Sequence, residues 1–162
     1  MRQQAESRVR RQTFSLFVEL EKSNSKKICS IIKKDNDIII RINDTELTDK
    51  LIDAYLDKDN RVILHSLTSP MTISEIVKRS GLPQSSVYRK IVALVEQGLI
   101  VFSGFDRDLK NGKGNHKGSI YEKTINSICF NLKSDTHMTE ITIERRILQK
   151  CKPLYMMVAK SC

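Results

Sequence analysis

Two helical patterns separated by a very short turn, between residues 72 and 98, constrain the fold of this chain most. The letters T-I-S-E at 72–75 match a capping box, in which Thr and Glu side chains each accept a hydrogen bond from the other residue's backbone N–H. Gly81 suits the left-handed position just past a helix, and Pro83 suits the start of the next one. Gly98 ends the second pattern. The spacing therefore predicts a two-turn helix, a tight turn and a longer helix.

Further elements are expected on both sides of this pair. Apolar periodicity and turn residues predict two preceding helices, then a strand, a basic loop and a returning strand. Their approximate ranges are 46–56, with Asp44 and Thr45 as caps, and 60–67 for the helices, 99–102 for the strand, 103–118 for the loop and 119–125 for the returning strand.

The two ends of the chain contain short runs rich in β-branched residues, which favour strands. Residues 26–34 and 37–42 indicate a hairpin, whereas 14–20 fits either a strand or a helix. Residues 127–146 contain two strand-like runs, and 147–159 fits a short helix or an apolar tail. We predict an α+β fold with three parts: a basic N-terminus with short strands (1–45), a helix-turn-helix domain with a β-wing and three to four helices (46–126), and C-terminal strands with a tail (127–162).

The longer helix has two chemically different faces. Val87, Ile91 and Leu94 fall on one arc and predict the core face. Opposite them lie small or cationic residues, including Ser85 and Arg89. Small side chains allow a helix start to approach phosphates or base edges, its free N–H groups favour phosphate, and an arginine fork suits guanine. The alternative is an ordinary solvated helix start.

Charge is distributed unevenly along the chain, whose formal net charge is +9. Residues 44–76 contain three Lys or Arg against seven Asp or Glu, and residues 77–117 contain eight against three. The predicted loop contributes a cationic, glycine-rich tip, which suits contact with a phosphate-lined groove, although a solvated surface loop is the alternative. Its charged residues are Arg107, Lys110, Lys113, His116 and Lys117.

The stretch from 63 to 102 resembles the winged helix-turn-helix of ArsR-like and related, especially archaeal, transcription regulators. T-I-S-E-I, S-G-L-P, Q-S-S-V-Y-R-K-I and E-Q-G-L-I carry the resemblance, which extends over about 46–125. It implies a regulator that binds double-stranded DNA with a recognition helix at about 84–97 and a wing at about 103–118. The DNA-binding residues would be Gln84, Ser85, Ser86, Tyr88, Arg89 and Lys90, together with the five loop residues. Tyr88 is ambiguous, because it also fits a half-buried packing role.

Other function classes are less consistent with the sequence. No phosphate-loop, nucleophile-elbow or zinc-protease motif occurs, and the four cysteines and three histidines lack metal-ligand spacing, so we expect no enzyme, metal or cofactor. No apolar run is long enough for a membrane span, and no signal peptide is evident, so we expect a cytoplasmic protein. The remaining alternatives are a winged helix that binds RNA or a protein, and a non-specific nucleoid-type DNA binder.

We also expect a homodimer that reads two half-sites, as the resemblance implies. Apolar strand residues outside the motif exceed what the winged helix needs for its own core. We therefore place the interface outside residues 60–125, with closure of the monomer's own core as the alternative. These apolar residues are Phe14, Leu16, Ile38, Ile40, Ile128, Phe130, Ile141 and Ile143. Small-molecule effectors are not identifiable from the sequence, and the absence of Cys from 87–98 gives no support for metal sensing.

Overall fold

A computed structural model describes residues 15–22, 28–106 and 118–160 of the 162-residue chain. Helices and antiparallel strands occur in the following order. They are α1 Leu16–Lys22, β1 Ile28–Lys34, β2 Asp37–Ile42, α2 Thr45–Leu56, α3 Lys58–Ser66, β3 Met71–Thr72, α4 Ile73–Ser80, α5 Gln84–Glu96, β4 Ile100–Phe105, β5 Ser119–Lys123, β6 Ser127–Leu132, β7 His137–Glu144, a 3₁₀ helix Arg145–Lys150 and α6 Lys152–Lys160.

Strands from both ends of the chain form one four-stranded antiparallel sheet in the order β1-β2-β7-β6. Alternate residues of β2 and β7, such as Ile40 and its partner Ile141, are fully buried on one face. Helix α2 packs on β7, and the hydroxyls of Thr48 and Thr139 lie 2.8 Å apart across this contact. The predicted hairpin is confirmed from residue 28 to residue 42, and the two strand-like runs of 127–146 are confirmed as β6 and β7, which ends at Glu144.

The middle of the chain forms a three-helix unit with a second, three-stranded sheet in the order β3-β5-β4. Helices α3, α4 and α5 pack together around fully buried apolar residues, including Ile63, Ile76 and Ile91. The two-residue strand β3, which the sequence did not predict, pairs Met71 with Tyr121 of β5. An α+β fold with a helix-turn-helix is therefore confirmed.

Helix α1 corrects one sequence interpretation, because residues 16–22 form a helix and the strand alternative for 14–20 is wrong. Leu16, Phe17 and Leu20 are buried on one side, and α1 packs against α6. The Leu16 N–H donates to the carbonyl of Gln97 (3.1 Å). Gly98 has φ 79°. A Cβ at Gly98 would lie 3.2 Å from Phe17, so glycine also gives the aromatic ring room to approach.

The apolar residues that led to the homodimer prediction are largely buried within a single chain. Leu16, Ile38, Ile40, Ile141 and Ile143 are each fully buried. Two others, Ile128 and Phe130, are partly buried and pack against the same core, whereas Phe14 lies outside the described residues. The apolar surplus therefore gives no independent support for a dimer.

Smaller differences from the predicted boundaries have local causes. Helix α3 begins at Lys58 rather than near Asn60, because the Asp57 carboxylate accepts from the Asn60 N–H and caps it. Residues 145–160 form a 3₁₀ turn followed by α6, and Pro153 lies in the first turn of α6, where proline is tolerated. Within the described ranges, no helix is long and apolar enough to cross a membrane.

Candidate nucleic-acid interface

Helix α4 begins with the predicted capping box. The Thr72 N–H donates to the Glu75 carboxylate (2.7 Å), and the Glu75 N–H donates to the Thr72 hydroxyl (3.4 Å). Gly81 then adopts the left-handed conformation, with φ 70°, and its N–H donates to the carbonyl of Val77 (3.0 Å). Both ends of α4 are thus fixed by local hydrogen bonds, and the turn into α5 starts from a defined position.

Arg79 links α4 to the end of α3 through side-chain hydrogen bonds. Its guanidinium donates to the carbonyl of Ser66 (3.1 Å) and to the hydroxyl of Thr68 (2.6 Å). A cation at the C-terminal end of α3 also interacts favourably with the helix dipole. This arginine therefore has a structural role between the first two helices of the unit.

The first turn of α5 is left without a side-chain cap within the described part of the chain. Pro83 occupies the N-cap position, and the first helical bond runs from the Val87 N–H to the Pro83 carbonyl (3.0 Å). The backbone N–H groups of Gln84, Ser85 and Ser86 precede that bond and have no carbonyl within α5 to bond. The turn contains no acidic residue, so its partial positive charge is uncompensated locally.

One face of α5 is exposed next to this open turn. Gln84, Ser85 and Arg89 are exposed and Ser86 is partly exposed, while Val87 on the opposite side is fully buried. Tyr88 is 59% exposed, so a large part of its ring faces solvent, and its contact with DNA stays a prediction. Ser85, Tyr88, Arg89 and Val92 follow helical spacing and form a continuous surface stripe, which we call the α5 face.

Lys90 differs from its neighbours, because it takes part in an internal ion pair. Its ammonium lies 2.7 Å from the carboxylate of Asp57, the residue that caps α3. This hydrogen bond, with help from the Asn60 N–H, lowers the pKa of Asp57 from its usual range despite partial burial. Lys90 thus connects the predicted recognition helix to the start of α3, and it is not free on the α5 face.

The β4–β5 hairpin follows α5 and has exposed aromatic side chains. Phe102 packs edge-on against Phe105 (5.1 Å between ring centroids) and against Tyr121 (6.2 Å). A shift in register near Gly104 bends β4, and the Asp106 N–H donates to the Gly118 carbonyl (2.9 Å) where the described strands end. The predicted loop contacts lie outside the described residues; they are Arg107, Lys110, Lys113, His116 and Lys117.

A buried carboxylate at the base of this hairpin was not predicted from the sequence. Glu122 of β5 is 3% exposed and bonds both Arg146 (2.6 Å) and Lys150 from the 3₁₀ helix. Burial alone would raise the pKa of Glu122, but the hydrogen bonds from Lys150 and Arg146 outweigh it and lower the pKa. The cluster ties the hairpin to the C-terminal part of the chain. The sequence signal for this cluster is limited to an acidic residue at a strand position whose side chain faces the core.

A short helix, a glycine turn and a second helix whose exposed face includes Arg89 form a helix-turn-helix unit. Residues 63–104 match the family model described as the IclR helix-turn-helix domain, from within α3 to β4. This match supports DNA binding, transcription regulation and DNA as the partner, as the sequence predicted. No curated protein and no solved structure matches the chain. The ArsR-like relation stays a prediction.

Proposed function

We propose that this protein is a transcription regulator that binds specific sites in double-stranded DNA through the α5 face. In this proposal α5 enters the major groove with its first turn leading. The N–H groups of residues 84–86 bond a backbone phosphate, and Arg89 contacts a base edge or a phosphate. Tyr88 lies where its hydroxyl reaches the same backbone.

The observation that carries the proposal is the open first turn of α5 beside exposed Ser85 and Arg89. Small side chains at this end let the backbone approach a phosphate closely, and the absence of a cap leaves N–H donors for it. The geometry of the turn supports this orientation, because Gly81 and the capped α4 fix the point from which α5 projects.

We further propose that the β4–β5 hairpin is a wing. Cationic residues of 107–117 would bind the backbone or the minor groove, adding affinity for any sequence through counterion release. Lys90 has a different role in this proposal: it orients α5 against α3 through Asp57 and contributes little to DNA contact directly.

Arg89→Ala tests the assignment of α5. We expect it to weaken binding to a selected duplex by about 1–3 kcal/mol, because a bidentate contact to a base is lost. Fluorescence anisotropy on sites selected from random duplex DNA would measure this change. Arg145→Ala, which removes another exposed arginine beyond β7, is the control and should leave affinity unchanged. Equal affinities of Arg89→Ala and the unaltered protein would contradict the assignment.

A single-stranded nucleic acid, RNA included, is the second candidate ligand. The observation that favours it is the pair of exposed rings of Phe102 and Phe105, with the partly buried Tyr121 packed beside Phe102, because exposed rings stack on unpaired bases. Anisotropy titrations with duplex DNA, structured RNA and single strands at two salt concentrations separate the candidates. A preference for single strands that Phe105→Ala abolishes would favour this alternative.

The predicted homodimer remains a proposal, now with a different basis. We place its interface at the open edge of β6, whose residues SICFNL include no charge and an exposed Leu132. The other edge strand, β1, ends in Lys33 and Lys34, and lysines discourage edge pairing. Sedimentation of the full chain at micromolar concentration should show a dimer, and Leu132→Lys should weaken it. A monomer that binds DNA one to one would contradict the dimer.

A further inference from the structure

A cleft separate from the α5 face lies where α2 and α3 meet the connection between β5 and β6. Its volume is about 610 Å³, within the range of about 300–1,000 Å³ typical of small-molecule sites. The cleft lies between the helix-turn-helix unit and the four-stranded sheet, because α3 belongs to the former and β6 to the latter.

Basic side chains line one side of this cleft. Lys58, Arg61 and His65 follow the spacing of one helical face on α3, and Val62 lies among them. Lys123, at the end of β5, adds a fourth basic group to the lining. None of the described residues that line the cleft is acidic, so the side chains in direct reach of a ligand favour an anion.

The remaining lining is mostly apolar. Ile125, in the connection between β5 and β6, and Ile128 of β6 contribute aliphatic surface, and Tyr55 contributes an aromatic ring from α2. The Tyr55 ring is fixed edge-on to Phe130, with 6.3 Å between centroids. Burial raises the pKa of Tyr55 to about 12, so its hydroxyl stays protonated and can donate a hydrogen bond. A ligand with an apolar body and a negatively charged group would therefore match both parts of the lining.

We propose that this cleft binds a small amphipathic carboxylate, with its apolar part against Tyr55 and Ile128 and its carboxylate held by Arg61 and Lys123. Arginine and lysine are suited to carboxylates, and a charge-assisted hydrogen bond is stronger than a neutral one. A neutral molecule of the same shape would fill the apolar part of the cleft without forming charge-assisted hydrogen bonds to Arg61 and Lys123, so it should bind more weakly.

The position of the cleft gives its ligand a route to α5. Lys58 lines the cleft and directly follows Asp57, whose carboxylate bonds Lys90 of α5. At the other end of α3, Ser66 follows His65 and accepts from Arg79 of α4. A ligand that shifts α3 therefore acts on both helices of the helix-turn-helix. This regulatory part of the proposal rests on the proposed function, whereas the binding site itself does not.

Calorimetry with decanoate and naphthoate, and with decanol as a neutral control, tests the site without DNA. We expect at least one carboxylate to bind once per chain, and decanol to bind about tenfold or more weakly. Arg61→Gln combined with Lys123→Gln should lower carboxylate affinity by a similar factor. The matched control, Lys34→Gln with Lys133→Gln, removes two exposed lysines outside the cleft and should leave it unchanged.

Equal binding of decanol and decanoate, or no binding of either carboxylate, would overturn the site. Anisotropy with duplex DNA then tests regulation separately. Saturating carboxylate should change DNA affinity of the unaltered protein and not that of the Arg61→Gln, Lys123→Gln variant. If this variant loses DNA affinity without any ligand, the basic side of the cleft contacts DNA and the regulatory part of the proposal is wrong. If no form binds DNA while carboxylate binding persists, the proposed function fails and the site stands.

Discussion

Only three turn residues separate α4 from α5, yet the starts of the two helices are capped in opposite ways. At α4, Thr72 and Glu75 satisfy each other's backbone N–H groups, and the carboxylate compensates the helix dipole. At α5, Pro83 occupies the cap position with no side-chain hydrogen bond among the described residues, and the first turn contains no acidic residue. The two preceding helices resemble α4, because Asp44 and Asp57 cap α2 and α3.

In the proposed function, the uncapped start of α5 is the helix end that contacts the external partner. A side-chain cap contributes about 0.5–2 kcal/mol, so its absence at α5 forgoes stability that the neighbouring helices have. A nucleic-acid phosphate supplies the same hydrogen bonds from outside and adds a full negative charge. The chain's own side chains thus cap the start of α4, whereas the first turn of α5 has no side-chain cap among the described residues, as the proposed function requires.

The largest expected effect comes from adding an acid to the second helical residue of each helix. Ser85→Glu should lower duplex affinity by about 100-fold, because a carboxylate would then face the phosphate. Ser74→Glu makes the same change at the same position of α4 and should leave affinity unchanged. Ser85→Glu adds an acid to an uncompensated helix end and should raise the free energy of unfolding by about 0.3–1 kcal/mol, whereas Ser74→Glu lies beside Glu75 and should gain less.

Anisotropy and chemical denaturation of the two serine variants, measured side by side, check both parts of this prediction. Equal losses of affinity for Ser74→Glu and Ser85→Glu would show only a general charge effect. An unchanged affinity for Ser85→Glu would remove the first turn of α5 from the interface.

A smaller effect, on stability alone, is expected from removing the α4 cap. Thr72→Ala should lower the free energy of unfolding by about 1 kcal/mol, because the Glu75 N–H loses its acceptor. Duplex affinity of the folded variant should not change. Denaturant titration measures the loss, with Thr136→Ala in the exposed β6–β7 turn as the control. A cost no larger than that of Thr136→Ala would mean that the capping box contributes little.

Local sequence signals predicted the helix-turn-helix well. The capping box, the turn at Gly81 and the buried arc of Val87, Ile91 and Leu94 each depend on residues a few positions apart, and the structure has all of them. The hairpins at 28–42 and 127–144 were predictable for the same reason, since short turns join strongly β-forming runs.

Features that depend on distant partners were not predictable. Strand β3 exists because Met71 pairs with Tyr121 of β5, and two residues have no pattern of their own. Glu122 is buried because Arg146 and Lys150 reach it from a later segment. Lys90 was assigned to DNA on its position in α5, but Asp57, from a separate helix, engages its ammonium. Composition and periodicity contain no information on such pairs.

Backbone amide NMR during a titration with a selected duplex tests the central claim most directly. We expect large downfield shifts of the Gln84, Ser85 and Ser86 N–H resonances as phosphate becomes their acceptor. The Thr72 and Glu75 N–H groups, already bonded within α4, should shift little. DNA binding that leaves the three α5 amides unperturbed, with the shifts concentrated elsewhere, would contradict the claim that α5 is held open for nucleic acid.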